Sequence, residues 1–155
     1  RLDFRPMKIL LLGSGGREHA LADTLSRENT AVELLAGPGN PGIAQLGRLV
    51  SIKADDPRAV VALAEQEQVD LVVVGPEAPL AAGVVDALQL ARIPAFGPTM
   101  GAATVETSKA DTKTLMLQAG VPTAHAETHR VARDAKDAVR TRFGAPVVIK
   151  ASGLA

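Results

Sequence analysis

Short apolar runs alternate with stretches of helical period along most of this sequence. Ile9, Leu10, Leu11 and Leu12 predict a strand over residues 8–12, and Ala20, Leu21 and Leu25 predict a helix over 17–27. Further strands are expected at 32–35, 49–52, 71–74 (the most apolar) and 95–96. Val60, Leu63 and Ala64 form the stripe of a helix over 57–68, which Asp55 or Asp56 caps and Pro57 opens. Val84, Val85, Leu88 and Ala91 fall on one side of a helix over 82–91. Continuous apolar strands between amphipathic helices imply a parallel sheet covered on both faces. The expected fold class is therefore α/β, a doubly wound parallel sheet over residues 7 to about 98.

Beyond that point the pattern changes. Leu115 and Met116 belong to a helix over 111–119, stopped by Gly120 and Pro122. A polar connector over 123–130, a helix over 133–143 and a strand over 147–150 follow, and 151–155 read as the start of a loop. A single strand cannot bury its faces alone. The expectation is a first domain over 7–107, then a linker and the opening of a second domain over 108–155. Met7 reads as the natural start. Residues 1–6 read as a tag or upstream extension, with a short mobile arm as the alternative.

Composition narrows the function. The 155 residues carry 17 basic and 17 acidic side chains, a formal net charge of +0, with no basic block. Non-specific nucleic-acid binding needs many phosphate contacts, so no nucleic-acid partner is expected. No apolar run approaches the ~18 residues of a membrane span, and the opening residues do not read as a secretory signal. No membrane partner is expected either. There is no Cys, which removes disulfide scaffolds, thiolate zinc sites and cysteine nucleophiles and is compatible with a cytoplasmic location. His19, His125 and His129 are scattered and give no metal pattern. Trp and Tyr are absent, so a stacking platform for single strands is not expected.

The loops carry the chemistry. Gly37-Pro38, Gly75-Pro76 and Gly97-Pro98 each follow an apolar strand. In a parallel sheet these loops share the carboxyl edge, where open α/β sheets bind ligands. Such pairs also serve simply to end strands. The first loop, Gly13-Ser14-Gly15-Gly16-Arg17-Glu18-His19, joins the first strand to the first helix and presents free N–H groups to an anion. It departs from the dinucleotide fingerprint, because Glu18 stands at the third glycine and no acid follows the second strand for a ribose. A phosphate or carboxylate site is the expectation. Arg17 supplies a forked charge to it, or else is an exposed first-turn residue paired with a nearby carboxylate. Glu77 accepts from a sugar hydroxyl or amine, or else favours the next helix dipole. Asn40 is read first as a turn former, and His19 as a helix-surface residue. In the second part, Lys109 opens a helix in Ser108-Lys109-Ala110-Asp111-Thr112-Lys113. Lys150 leaves an apolar run for Ser152-Gly153, a setting that suits a nucleotide phosphate.

Taken in order, these motifs resemble the glycinamide ribonucleotide synthetase (phosphoribosylamine–glycine ligase) family of the ATP-grasp superfamily. The matching segments are GSGGREHAL at 13–21, GPGNPG at 37–42, VVGPEAPL at 73–80, FGP at 96–98, SKADTK at 108–113 and GAPVVIKASGLA at 144–155. The resemblance runs from Met7 to Ala155 and covers the opening portion of such an enzyme. It implies a Rossmann-like pre-ATP-grasp domain followed by the start of an ATP-grasp domain. It implies ligation of glycine to 5-phosphoribosylamine with ATP, giving glycinamide ribonucleotide, ADP and phosphate in purine biosynthesis. The partners implied are these small molecules, with Mg²⁺ (or Mn²⁺) clamping the phosphates.

By the same resemblance, Gly15, Gly16 and Arg17 help hold the phosphoribosyl group, and Gly39, Asn40 and Glu77 line the same crevice. Lys109 and Lys150 look like the paired phosphate-binding lysines, with Ser152 and Gly153 beside them. Ser152 stands where the family commonly has Asp, and Thr107 where it commonly has Gly. The catalytic and metal-holding residues are expected beyond Ala155, so these 155 residues alone are expected to be inactive. A free-standing α/β module that binds a nucleotide or sugar phosphate without catalysis is the alternative, though it would not need residues 108–155.

Overall fold

The computed structural model describes residues 5–28 and 31–153. Residues 1–4 of the expected extension and 154–155 of the expected loop lie outside the described residues. Two compact units are present, divided between Ala103 and Thr104.

The first unit is built on β1 (Met7–Gly13), β2 (Val32–Pro38), β3 (Arg48–Leu49), β4 (Leu71–Val74) and β5 (Ala95–Phe96). These form one five-stranded sheet in the order β3-β2-β1-β4-β5, with every pairing parallel. Side chains alternate across a strand, so β1 feeds two cores. Leu10 and Leu12 join Leu35, Val72 and Val74 on one face, where α2 (Pro57–Gln66) and α4 (Val84–Leu90) supply Val60, Ala64, Val84, Val85 and Leu88. Ile9 and Leu11 join Leu34, Ala36 and Val73 on the other, under Ala22 and Leu25 of α1 (Gly16–Glu28). Burying each such Leu or Val stabilises by about 1.5–3 kcal/mol. The doubly wound parallel sheet expected from the sequence is the fold observed, and none of the described helices is long and apolar enough to cross a membrane.

Several element readings are corrected. On α1, Ala20 and Leu21 face out while Ala22 is fully buried, so the inner stripe is Glu18, Ala22 and Leu25 rather than Ala20, Leu21 and Leu25. The helix expected over 82–91 is α4, which starts at Val84 because Gly83 takes a left-handed conformation at φ +82, and a separate short helix not expected from the sequence, α3 (Glu77–Ala81), precedes it. The second helix stops at Gln66, two residues early, and the third strand is only Arg48–Leu49. Asp56, not Asp55, caps α2, its side chain accepting from the amides of Arg58 and Ala59. A short helix that the periodicity did not reveal, α5 (Met100–Thr107), buries only Ala103. Arg5, within the expected extension, forks onto Asp70 at 2.7 and 2.6 Å.

The second unit contains α6 (Lys109–Gln118), which starts two residues earlier than expected, and α7 (Ala132–Ala138), which runs into a wider turn over Val139–Phe143. Glu127 receives a fork from Arg142 at 2.8 and 2.6 Å and meets His129 at 3.0 Å. The His125 and Phe143 rings stack at 4.9 Å. The strand expected over 147–150 does not form. No described strand of this unit lies beside it, so its amides and carbonyls find no ladder, and Val148 and Ile149 are each 78% exposed.

Candidate functional site

Strand order places the site. The chain leaves β1 toward β2 on one side, then crosses to β4 on the other, so the loops after β1 and β4 part and leave a crevice at the carboxyl edge. A crevice of about 440 Å³ lies there. The glycine turn and α1 start form one wall, Pro76, Glu77, Ala78 and Pro79 another, and Pro38, Ile52, Ala54 and Asp55 close the side. Of the three Gly-Pro loops, two contribute a proline. Gly97-Pro98 follows the edge strand β5 and does not line it.

Gly15 and Arg17 line the crevice as the sequence suggested, and Gly16 is exposed beside them as the first residue of α1. A Cβ on Gly16 would meet nothing within 4 Å, and its φ is not left-handed, so backbone strain is not the reason for glycine there. The Arg17 guanidinium donates to Glu77 Oε2 at 2.9 Å across the crevice. The backbone N–H of Glu77 itself, then the Arg17 guanidinium, hold the Glu77 carboxyl below the usual carboxylate range. The reading of Arg17 as an exposed first-turn residue paired with a nearby carboxylate is the one the geometry shows. Arg17 and Glu77 are an exposed ion pair, and they face the same hollow with opposite charge.

Gly39 and Asn40 do not line the crevice; they brace it from behind. The Gly39 amide donates to Gly13 O at 3.0 Å. Asn40 Nδ2 donates to Ser14 O at 2.9 Å, while its Oδ1 accepts from the amides of Gly42 and Ile43. Its amide group is spent on turn-forming bonds, which couple the β2 loop to the glycine turn. His19 is exposed, with its ring against Gly42.

Glu18 is the residue that sequence reasoning undervalued. It is only 3% exposed. As the third residue of α1 it reaches back to accept from the Gly15 amide at 2.7 Å, the acidic half of a capping box. Its Oε1 is buried without a hydrogen-bond partner among the described residues. The signal was present in the spacing, since 18, 22 and 25 share one helix face.

In the second unit, Lys109 Nζ donates to Gly153 O at 2.8 Å, and the Ala110 amide donates to Ser152 Oγ at 3.2 Å. Lys109, Ser152 and Gly153 thus meet at the start of α6. Lys150 lines a hollow of about 380 Å³ together with His125, Glu127 and Phe143. Among the described residues no group of three or more carboxylate or imidazole side chains is placed to hold a metal ion.

The phosphoribosylglycinamide synthetase N domain matches residues 7–106. The phosphoribosylamine–glycine ligase of Agrobacterium fabrum is 51% identical over 149 residues, covering 96% of this chain and 35% of the relative, and that of Streptomyces coelicolor is 49% identical. The chain spans about a third of the length of the curated relatives it matches. The crystal structure of the Thermotoga maritima phosphoribosylamine–glycine ligase superposes with a TM-score of 0.73 at 27% identity, over 95% of this chain and 33% of that one. N5-carboxyaminoimidazole ribonucleotide synthetase from Thermus thermophilus gives 0.63, also at 27% identity, over 89% of this chain and 37% of its own. A crevice at the β1/β4 divide, walled by the glycine turn and the Gly-Pro-Glu loop, thus sits inside the matched segment, and the chain belongs to the phosphoribosylglycinamide synthetase N-domain family.

Proposed function

We propose that this chain is the opening part of a ligase that joins glycine to 5-phosphoribosylamine, with ATP converted to ADP and phosphate, and that the crevice holds the phosphoribosylamine. The carrying observation is the Arg17–Glu77 pair across the β1/β4 divide. A ligand with a phosphate at one end and hydroxyl and amine donors at the other exchanges favourably with that pair. Its phosphate takes the guanidinium and the first amides of α1, and its donors take the carboxylate. The glycine carboxylate attacks the γ-phosphorus to give glycyl phosphate, and the substrate amine then attacks the acyl carbon and releases phosphate. Lys109, Ser152 and Gly153, with Lys150, are assigned to the ATP phosphates. An ATP oxygen is a stronger partner for the Lys109 ammonium than the Gly153 carbonyl it now holds. Mg²⁺ would spread the charge of those phosphates, and among the described residues no group of three or more carboxylate or imidazole side chains gathers to hold it. The absence of cysteine fits a cytoplasmic setting. The alternative of a binding module without catalysis finds no support in the relatives, which are named as ligases.

Titration with ribose 5-phosphate tests the assignment. Gly16→Val is expected to weaken binding at least tenfold with an unchanged melt, because the new side chain enters open space at the first residue of α1. Arg17→Ala is expected to weaken it similarly. Unchanged affinity in both variants refutes the reading.

A further inference from the structure

The Glu18 carboxylate sits where β1 and β4 end side by side. Three glycines close around it. A Cβ on Gly13 would lie 2.5 Å from Glu18 Cγ, one on Gly15 2.8 Å from Oε2, and one on Gly75 2.7 Å from Cγ. The cradle that these glycines make is filled from within by a side chain of the chain itself. Oε2 takes the Gly15 amide, and Oε1 is buried with no hydrogen-bond partner among the described residues. Leaving a buried charged acceptor unsatisfied is costly, and a capping bond alone uses only one of the two oxygens.

In βαβ units that bind dinucleotides, the second glycine of this loop lets the pyrophosphate approach the backbone at the helix N-terminus, and the third allows close helix–strand packing; here the amide of that second glycine, Gly15, is taken by the Glu18 carboxylate. Here the first two glycines of that pattern are kept as Gly13 and Gly15, and the third position is Glu18. We infer that Glu18 determines the specificity of the crevice: its carboxylate occupies the place of an inner phosphate. The crevice therefore takes a ligand with one phosphate, held outside at Gly16 and Arg17, and refuses a diphosphate. The inference rests on the sugar-monophosphate reading of the same crevice. Charge and volume act together. The innermost amide is spent, the space is full, and the floor offers an acceptor oxygen in place of a donor.

Glu18→Gly restores the full glycine pattern at 13, 15 and 18, and Glu18→Gln keeps the volume while removing the charge. The probes are ribose 5-phosphate and ADP-ribose, titrated calorimetrically against the chain and both variants. ADP-ribose is expected to bind the parent at least tenfold more weakly than ribose 5-phosphate. Glu18→Gly is expected to gain at least tenfold for ADP-ribose while ribose 5-phosphate stays within threefold, and Glu18→Gln to gain less. Detectable and equal binding of the two probes by the parent overturns the inference, as does an ADP-ribose affinity unchanged in a folded Glu18→Gly. If Glu18→Gly does not fold, Glu18→Gln decides: a gain for ADP-ribose supports the inference, and no gain overturns it. Failure of the sugar-monophosphate reading is seen separately, as ribose 5-phosphate binding that is absent from the parent or indifferent to Arg17→Ala. The ADP-ribose gain is scored without it.

Discussion

Gly75→Ala is a one-methyl change with a calculable consequence. Gly75 does not have a left-handed φ, so the backbone accepts alanine and the effect is steric. The new Cβ would stand 2.7 Å from Glu18 Cγ and 2.9 Å from its Cδ, closer than carbon atoms pack. Glu18 also lies close to Gly13 and is held by the Gly15 amide at 2.7 Å, so it moves aside only by giving up that bond. Either the two loops separate, at an overpacking cost of about 1–3 kcal/mol, or Glu18 leaves and surrenders a charge-assisted bond worth about 1.5–3 kcal/mol. Both routes give a loss of about 1–3 kcal/mol, which lowers Tm by roughly 4–8 °C per kcal/mol for a unit of this size. With no Trp or Tyr in the chain, urea unfolding followed by far-UV circular dichroism is the assay. The same substitution made in Glu18→Ala is expected to cost under about 0.5 kcal/mol, giving a coupling of about 0.5 kcal/mol or more. Gly16→Ala, with nothing within 4 Å of its Cβ, serves as the neutral control. Equal losses from Gly75→Ala in both backgrounds, or no loss in the parent, refute the packing argument.

Asp56→Ala removes the side-chain acceptor for the Arg58 and Ala59 amides at the start of α2 and is expected to cost about 0.5–2 kcal/mol in the same assay. The Asp70 carboxyl is held below its usual range by the Arg5 fork and then the Lys8 amide. A lowered folded-state pKa contributes stability that is complete above the unfolded value of about 3.9. That contribution is lost as pH falls through the lower, folded value. Asp70→Asn is therefore expected to lower the melt at pH 7 and to converge with the parent in acid, and a gap constant with pH counts against it. Lys109→Ala is expected to weaken ATP binding at least tenfold while leaving ribose 5-phosphate binding unchanged, and equal ATP affinity would remove Lys109 from the phosphate site.

The sequence by itself determined the strands of the first unit and their parallel, two-faced packing. Those properties follow from local runs such as Leu71–Val74 and from periodicity, and each residue carries its share of the signal. It also marked Arg17 and Glu77 as chemistry at a sheet edge. Strand order decided the rest. Because β4 lies beside β1 rather than beside β3, Arg17 and Glu77 meet across 60 positions of chain, while Gly97-Pro98 is left at the far edge. Asn40, read first as a turn former and placed at the crevice wall only by the family resemblance, is a turn former and brace, because its side-chain amide is spent on Ser14 O and the amides of Gly42 and Ile43. Glu18 read as a departure from a fingerprint, and only packing against Gly13 and Gly75 showed it buried at the floor of the crevice. The run 147–150 has strand composition yet forms no strand. A strand is a pairing between segments, and composition in one segment does not supply the other.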